Sequence, residues 1–222
     1  MSRENWIIDL SKVRSRQGLY EFLNPQFAKI KSGENVLTIG AGGDVNKVLD
    51  EYAEKQRFNV VSFDIDKDKT PDILGDICTY AFEEGIYDTI IMCEVLEHLH
   101  SPHLGIETVY HALKPGGRLI LTTPFIFPIH DRPYDYFRYT KYGLGHLLSK
   151  FNNVTIKEKN SALEAIDVLW LRLNKISGKR TYYLKRFIVF TIFYLKRPIT
   201  LFLMRYVKTD IMTTGYNVEA FK

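Results

Sequence analysis

Glycines and acids follow the apolar runs of this chain at intervals that can build a binding site at one edge of a sheet. The first run, residues 36–39, leads directly into Gly40, Ala41 and Gly42. A glycine turn after a buried strand lets backbone N–H groups approach a ligand closely, because no Cβ stands between them. Asp64 closes the next apolar run, where a carboxylate can accept hydrogen bonds from both hydroxyls of a ribose. The pattern indicates a pocket for a nucleoside-bearing ligand.

The elements that must position these residues follow from alternating apolar runs and longer amphipathic stretches. We expect an α/β fold of the Rossmann-like type, with a seven-stranded, mostly parallel sheet that is covered by helices on both faces. The predicted strands are residues 35–39, 58–63, 72–74, 87–92, 116–122, 153–159 and 214–221. The predicted helices are residues 44–55, 103–113 and 141–150, and at least one more within the first 30 residues. The Lys-Pro-Gly-Gly sequence at 114–117 predicts the end of a helix and a turn into the next strand.

Length and composition place the chain among ordinary globular proteins. Its 222 residues suit one large α/β domain, and 45% are hydrophobic and 25% charged. The first residues lack the pattern of a secretory signal peptide. The two cysteines, Cys78 and Cys93, lie in different predicted elements, which favours a reducing compartment over a disulfide scaffold. We therefore expect a cytoplasmic protein.

Positive charge is concentrated in one part of the sequence. Residues 168–209 contain ten Lys or Arg and no Asp or Glu, a formal charge of +10. The whole chain carries +4, so all the other residues together carry −6. A local basic block of this kind indicates a local partner, and an anionic surface is the matching one.

Several motifs together resemble the class I S-adenosylmethionine-dependent methyltransferases. The resemblance covers about residues 30–125, over 40% of the chain. Its motifs are the glycine turn at 36–43, Asp64, Asp76, the strand and Glu-Val-Leu-Glu-His sequence at 87–98, and the Leu-Lys-Pro-Gly-Gly sequence with its strand at 113–121. The Glu-Val-Leu-Glu-His and Leu-Lys-Pro-Gly-Gly pair is specific, whereas a glycine turn alone is a weak signal. A dehydrogenase ranks lower, because Val45 stands where its third glycine would be.

The resemblance implies S-adenosylmethionine as the cofactor and assigns residues to it. Asp64 would hold the ribose hydroxyls, and Asp76 with the Ile77 backbone would face the adenine. The implied cofactor-binding residues are Thr38, Gly40, Ala41, Gly42, Asp64, Ile65, Asp76, Ile77, Cys93 and Glu94. Relatives usually carry an acid where this chain has Thr38. The Thr38 hydroxyl can accept a hydrogen bond but supplies no charge, so either cofactor affinity is modest or another carboxylate such as Asp44 substitutes for that acid. An inactive relative is the third alternative.

A segment rich in aromatic and ionisable residues, 123–140, follows the fifth main strand. It resembles a segment of bacterial methyltransferases that are associated with cell-surface glycan synthesis, which implies O-methylation of a sugar hydroxyl. His130 is the predicted general base, since histidine titrates near neutrality. Asp135 is expected to orient it, and Arg138 to contact the acceptor. The alternative is that Asp135 and Arg138 form an internal ion pair that fixes the segment.

The residues Glu94, Glu97 and His98 would share one face of a helix that starts at 94. With His130 they resemble the divalent-metal site of small-RNA 2′-O-methyltransferases and of some quinone-biosynthesis O-methyltransferases. Mn²⁺ or Mg²⁺ would suit such mixed oxygen and imidazole ligands. The alternative, which we rank higher, is that His98 is a structural hydrogen-bonding residue and no metal binds.

The complete prediction is a single domain, 1–222, with an N-terminal helical lid (1–33), a cofactor-binding core (34–159), a basic helical insertion (160–213) and a last strand (214–222). The apolar runs of the insertion are interrupted by the Lys-Arg-Pro sequence at 196–198. One prediction is that the insertion docks on the inner face of a membrane. The alternative is that it forms a cap that packs on the sheet or on a second copy of the chain. A nucleic-acid partner ranks third. The leading function is O-methylation of a glycan acceptor; the alternatives are a catalytically silent cofactor-binding or membrane-docking protein and a metal-dependent RNA 2′-O-methyltransferase.

Overall fold

The computed structural model of the chain describes residues 6–172, 182–207 and 210–222. Its strands are β1 (Asn35–Ile39), β2 (Asn59–Asp64), β3 (Ile73–Leu74), β4 (Tyr87–Cys93), β5 (Leu113–Pro124), β6 (Asn152–Glu158) and β7 (Gly215–Phe221). Its helices are α1 (Trp6–Ala28), α2 (Gly43–Gln56), α3 (Pro102–Ala112), α4 (Lys141–Leu147), α5 (Ala162–Arg172) and α6 (Tyr182–Leu203). The predicted elements are confirmed in type and order, with ends that differ by a few residues.

The strands form one seven-stranded sheet in the order β3-β2-β1-β4-β5-β7-β6. β1 pairs in parallel with β2 and β4, and β4 pairs in parallel with β5. β7 runs against β5, since Gly116 N donates to Lys222 O at one end and Phe125 N donates to Thr214 O at the other. The central strands are buried on both faces, as their continuous apolar sequences predict. The α/β prediction is therefore confirmed.

The glycine-rich sequence after α3 forms a bulge in β5, where the sequence predicts a turn before a strand. α3 ends at Ala112, and β5 begins at once with Leu113. Tyr87 of β4 pairs with Leu113, but Thr89 pairs with Arg118, so the four residues 114–117 stand opposite the single residue Asp88. Gly116, at φ 77°, supplies the left-handed conformation that the bulge contains.

The chain divides into two compact units. The sheet unit comprises Phe22–Pro124, Ile129–Lys157 and Tyr216–Lys222, and the helical unit comprises Met1–Glu21, Phe125–Pro128 and Glu158–Gly215. The predicted boundaries at 33, 159 and 213 stay a prediction. Of the ten Lys and Arg residues in the basic segment 168–209, four lie outside the residues that the structure describes: Lys175, Lys179, Arg180 and Lys208.

Helices α5 and α6 pack together in the helical unit through a buried acid. Asp167, 3% exposed, forms ion pairs with Lys196 and with Arg197, whose guanidinium nitrogen lies 3.1 Å away. α6 continues through Pro198, so the Lys-Arg-Pro sequence at 196–198 interrupts the apolar run without ending the helix. Lys196 and Arg197 lie within α6 and bind Asp167 of the neighbouring helix α5. None of the helices described is both long and apolar enough to cross a bilayer.

Candidate active site

The glycine turn lies at the carboxyl end of β1 and is held there by main-chain contacts. Gly40 and Gly42 have φ values of 93° and 78°, which residues other than glycine rarely adopt. Gly40 N donates to Phe63 O at 2.9 Å, and a Cβ on Gly40 would come within 2.7 Å of Val95 Cγ2. Ala41 N donates to Asp64 Oδ2 at 2.7 Å. The turn is thus shaped before any ligand arrives.

Asn46 is a functional candidate that sequence reasoning missed. The buried Thr38 hydroxyl donates to Asn46 Oδ1 at 2.9 Å, and Asn46 Nδ2 donates to Gly40 O at 2.8 Å and Gly42 O at 3.1 Å. The side chain of Asp44 instead lies 3.9 Å from Lys47 Nζ. Where relatives have an acid, this chain has a neutral Thr–Asn pair that braces the glycine turn. The sequence signal that could have identified Asn46 is its amide side chain in the first turn of α2, the helix that follows the glycines.

The two acids assigned to the cofactor lie at the same edge of the sheet. Asp64 accepts from Ala41 N and, through Oδ1, from Asp66 N at 2.8 Å. Asp76 accepts from Cys78 N at 2.9 Å and lies 3.0 Å from His100 Nε2. Burial acts to raise the pKa of Asp76, but these hydrogen bonds outweigh it and lower the pKa overall. Both acids lie at the edge of the sheet where a nucleoside binds in open parallel sheets.

The remaining predicted cofactor contacts flank these acids. Ile65 directly follows Asp64 and is 70% exposed, whereas Ile77 is buried. Cys93 ends β4, at the same edge of the sheet as Gly40. Their assignment to the cofactor stays a prediction.

Glu94 begins a sharp turn, which corrects the prediction of a helix that starts there. Glu94 has φ 55°, and only residues 96–98 form a short 3-10 turn. Its carboxylate accepts from Thr122 Oγ1 at 2.9 Å. Left-handed backbone at a non-glycine residue costs on the order of 1–3 kcal/mol and concentrates at functional sites. The turn separates Glu94 from Glu97 and His98, so the three do not share a helical face.

Glu97 is a fully buried carboxylate at the centre of the site. Thr123 Oγ1 donates to its Oε2 at 3.3 Å, while Oε1 has no hydrogen-bond partner among the described residues. Burial raises the pKa of Glu97, and the neighbouring charge of Glu94 raises it further. A buried polar atom without a partner is costly, so this oxygen is suited to binding a proton or a cation.

His98 and His130 face this oxygen with the same ring nitrogen. The Nε2 atoms of His98 and His130 lie 3.7 Å and 3.8 Å from Glu97 Oε1. His98 Nδ1 lies 2.8 Å from Tyr134 O, and His130 Nδ1 lies 3.3 Å from Asp135 Oδ2. Both acceptors can take a hydrogen bond from an N–H at Nδ1, which fixes the orientation of each ring. The nearby Glu97 carboxylate and the charge of Asp135 raise the pKa of His130, although burial opposes them.

The segment from His130 to Tyr139 is fastened to the short turn at 96–98. The backbone N–H groups of Tyr136 and Phe137 donate to Glu97 O at 3.0 and 3.2 Å. Asp135, almost buried, accepts from His130 N and forms a bidentate pair with Arg138. The hydrogen bonds from Arg138 hold the pKa of Asp135 far below its usual range. Asp135 thus contacts both His130 and Arg138, and the alternative ion pair with Arg138 is present. The roles of His130 as base and of Asp135 as the group that orients it stay predictions.

Three side chains come close enough to hold a divalent cation: Glu97, His98 and His130. Glu94 lies outside this group. Asp131, which sequence reasoning missed, has Oδ2 3.9 Å from His98 Nε2 and 4.0 Å from His130 Nε2. The donor set suits Mn²⁺ or Mg²⁺, and the Nδ1 contacts of the two histidines resemble the outer-shell hydrogen bonds that orient metal-binding imidazoles. The site therefore fits a metal, and the partnerless Glu97 oxygen is the strongest sign of it.

Comparison with known proteins identifies the family. The sequence model of a methyltransferase domain family matches residues 12–162. A ubiquinone biosynthesis O-methyltransferase of Xylella fastidiosa is 29% identical over 111 residues, 41% of this chain and 42% of that protein. The chain therefore aligns with less than half the length of this curated relative.

Solved structures share the fold. A SAM-dependent methyltransferase from Archaeoglobus fulgidus matches 98% of this chain and 99% of its own, with 18% identity and a TM-score of 0.60. Phosphoethanolamine N-methyltransferase 2 of Haemonchus contortus, solved with S-adenosyl-L-methionine, matches 93% of this chain and 51% of its own, with 17% identity and a TM-score of 0.56. The predicted family is confirmed: the chain belongs to the methyltransferase domain family and has the fold of the S-adenosylmethionine-dependent methyltransferases.

Proposed function

We propose that this protein transfers the methyl group of S-adenosylmethionine to a hydroxyl of a sugar, in a surface-glycan or lipid-linked precursor. The observation that carries the proposal is the pairing of His130 with Asp135 beside the cofactor edge of the sheet. A hydroxyl must lose a proton as it is methylated, and a histidine oriented by a carboxylate is suited to take it. The curated relative from Xylella is also named as an O-methyltransferase.

The cofactor would be held by the glycine turn and by Asp64. Gly40 and Gly42 carry no Cβ, so a ligand can approach the backbone of the turn closely, and Asp64 has carboxylate lone pairs beyond those that its two backbone contacts use. S-adenosylmethionine supplies the methyl group on a positively charged sulfur. The protein positions the acceptor oxygen in line with that methyl group.

The proposed acceptor fits the side chains at the surface of the 130–139 segment. Tyr134, Tyr136 and Phe137 are 62%, 48% and 39% exposed. Aromatic faces offer apolar area with few rotatable bonds, which suits the C–H faces of a sugar ring, and the phenol groups can bond its hydroxyls. Arg138 is bound to Asp135, so its predicted contact with the acceptor is the least supported of these roles.

A metal-assisted O-methyltransferase is the second candidate, favoured by the partnerless oxygen of Glu97. Glu97, His98 and His130 would hold Mn²⁺ or Mg²⁺, and such a cation lowers the pKa of a hydroxyl bound to it. In that case His130 orients the cation and is not itself the base. An RNA acceptor would belong to this candidate, and RNA affinity that falls steeply with salt would favour it.

The test is turnover on an acceptor panel, measured as S-adenosylhomocysteine formed. The panel contains sugars, lipid-linked sugars, quinols and RNA, with and without Mn²⁺. Methylation of sugars without metal supports the leading proposal, and turnover only with Mn²⁺ supports the second. Binding of S-adenosylmethionine with no turnover on any acceptor would favour the silent cofactor-binding protein instead.

A further inference from the structure

Helix α6 has one face packed within the helical unit and an opposite face that is apolar and exposed. On the packed face, Phe193 and Thr200 are buried. On the opposite face, the exposed fractions run from 39% to 71%. The side chains of this exposed face are Phe187, Ile188, Ile192, Leu195, Ile199 and Phe202. Steps of three and four residues place them on one side of the helix.

This apolar face is unusual for a helix at a protein surface. An amphipathic surface helix normally turns charged and polar residues to solvent. Here the outward residues from 187 to 202 are aromatic and aliphatic apart from Thr191, over about 22 Å at the usual helical rise. Contiguous exposed apolar surface of this kind marks an interaction site.

The charges near α6 indicate what covers the face. Lys196 and Arg197 turn to Asp167 and so lie off the apolar face. In the sequence, Lys185 and Arg186 immediately precede this face and Arg205 follows it. Residues 168–209 contain no acid, so the segment would present net positive charge to whatever binds.

We propose that the outer face of α6 lies in the interfacial region of an anionic lipid bilayer. The apolar side chains enter the boundary between headgroups and acyl chains, and the basic residues on either side attract anionic lipid. A second copy of the chain fits less well, because pairing two such faces brings two segments of charge +10 together. The proposal concerns this surface alone and stands whether or not the acceptor is a sugar.

The experiment is flotation of the full chain with vesicles of phosphatidylcholine alone or mixed with phosphatidylglycerol. The test variant is Leu195→Asp combined with Phe202→Asp. The matched control is Tyr142→Asp, since Tyr142 is a 79% exposed aromatic residue on α4 in the sheet unit. Unchanged melting temperatures establish that each variant is folded. Ile199→Thr, a milder change on the same face, is the second variant.

We expect the wild type and Tyr142→Asp to float with anionic vesicles at low salt, and less at high salt. Each Leu or Phe buried in the interface strengthens partitioning by roughly tenfold, so the double variant should bind about 100-fold more weakly. Ile199→Thr should give a smaller loss. A wild type that stays at the bottom of the gradient overturns the proposal, as does equal flotation of wild type and double variant. A dimer that the double variant dissociates, without vesicle binding, assigns the face to a second copy.

Discussion

Replacement of Asp64 by alanine tests the cofactor assignment directly. Asp64 accepts two backbone hydrogen bonds, from Ala41 N at 2.7 Å and Asp66 N at 2.8 Å. Its carboxylate is also the group that we assign to the ribose hydroxyls. The alanine variant therefore loses a support of the glycine turn and a pair of contacts to the ligand.

The magnitude follows from the number and type of these contacts. Hydrogen bonds to a charged group contribute about 1.5–3 kcal/mol each, so two ribose contacts amount to about 3–6 kcal/mol. At 1.4 kcal/mol per factor of ten, cofactor affinity should fall by roughly 10²–10⁴. Because Asp64 is partly exposed, we expect the lower end, about 100-fold. Loss of the backbone contacts should also lower the free energy of unfolding by about 1–2 kcal/mol.

The assay is calorimetric titration with S-adenosylhomocysteine, together with thermal melting. Asp66→Ala is the matched control, because Asp66 accepts one backbone hydrogen bond, from Asp68 N at 2.9 Å, and has no assigned cofactor contact. Its affinity should be within a few-fold of wild type. If Asp64→Ala binds the cofactor as tightly as wild type, the ribose assignment and the reasoning behind it are wrong.

Four further expectations concern the site and the helical unit. If His130 is the base, His130→Ala should keep cofactor affinity while its turnover falls by roughly 10²–10⁴-fold. The control His103→Ala changes an exposed histidine and should leave turnover unchanged. Wild-type turnover in His130→Ala would show that His130 is not the base. The acidic neighbours of His130 raise its pKa, and the base acts only when its ring is deprotonated. As pH falls, kcat/KM should therefore decline at a pH above the pKa of an ordinary histidine. A pH profile of kcat/KM that is flat in this range contradicts the assignment. Mn²⁺ should raise the melting temperature of wild type but not of Glu97→Gln, and an equal rise in both removes Glu97 as a ligand. Asp167→Ala leaves Arg197 without its acid in α5 and should lower the free energy of unfolding by about 3 kcal/mol, read from urea denaturation; an unchanged midpoint refutes that role.

The fold could be predicted because its signals are local. The run 36–39 and the glycines after it specify a buried strand and a tight turn within eight residues. The Lys-Pro-Gly-Gly sequence marks the helix end correctly, although its glycines form a bulge in place of a turn. A bulge depends on how β5 pairs with β4, and pairing cannot be read from one strand.

The site could be predicted only in part, because its geometry depends on residues that are distant in the sequence. Glu94 is expected in a helix by its neighbours, but the hydrogen bond from Thr122, 28 residues away, accompanies a left-handed turn there. Asp131 reaches the histidines through a backbone of φ 45°, for which the sequence offers no signal. Asn46 braces Thr38 and the glycine turn through three hydrogen bonds that no spacing rule describes.

The way the 130–139 segment is attached has a consequence for how acceptor choice can change. The segment is anchored at Leu96–His98 largely through main-chain atoms, including the carbonyl of Glu97 and the carbonyl of Tyr134. Main-chain anchors survive almost any substitution, while the side chains of Tyr134 and Tyr136 point to solvent. Mutations there can alter which molecule is recognised without moving His130. Because main-chain atoms hold the segment and exposed side chains face the solvent, single substitutions in those side chains can change the acceptor while the position of His130 stays the same.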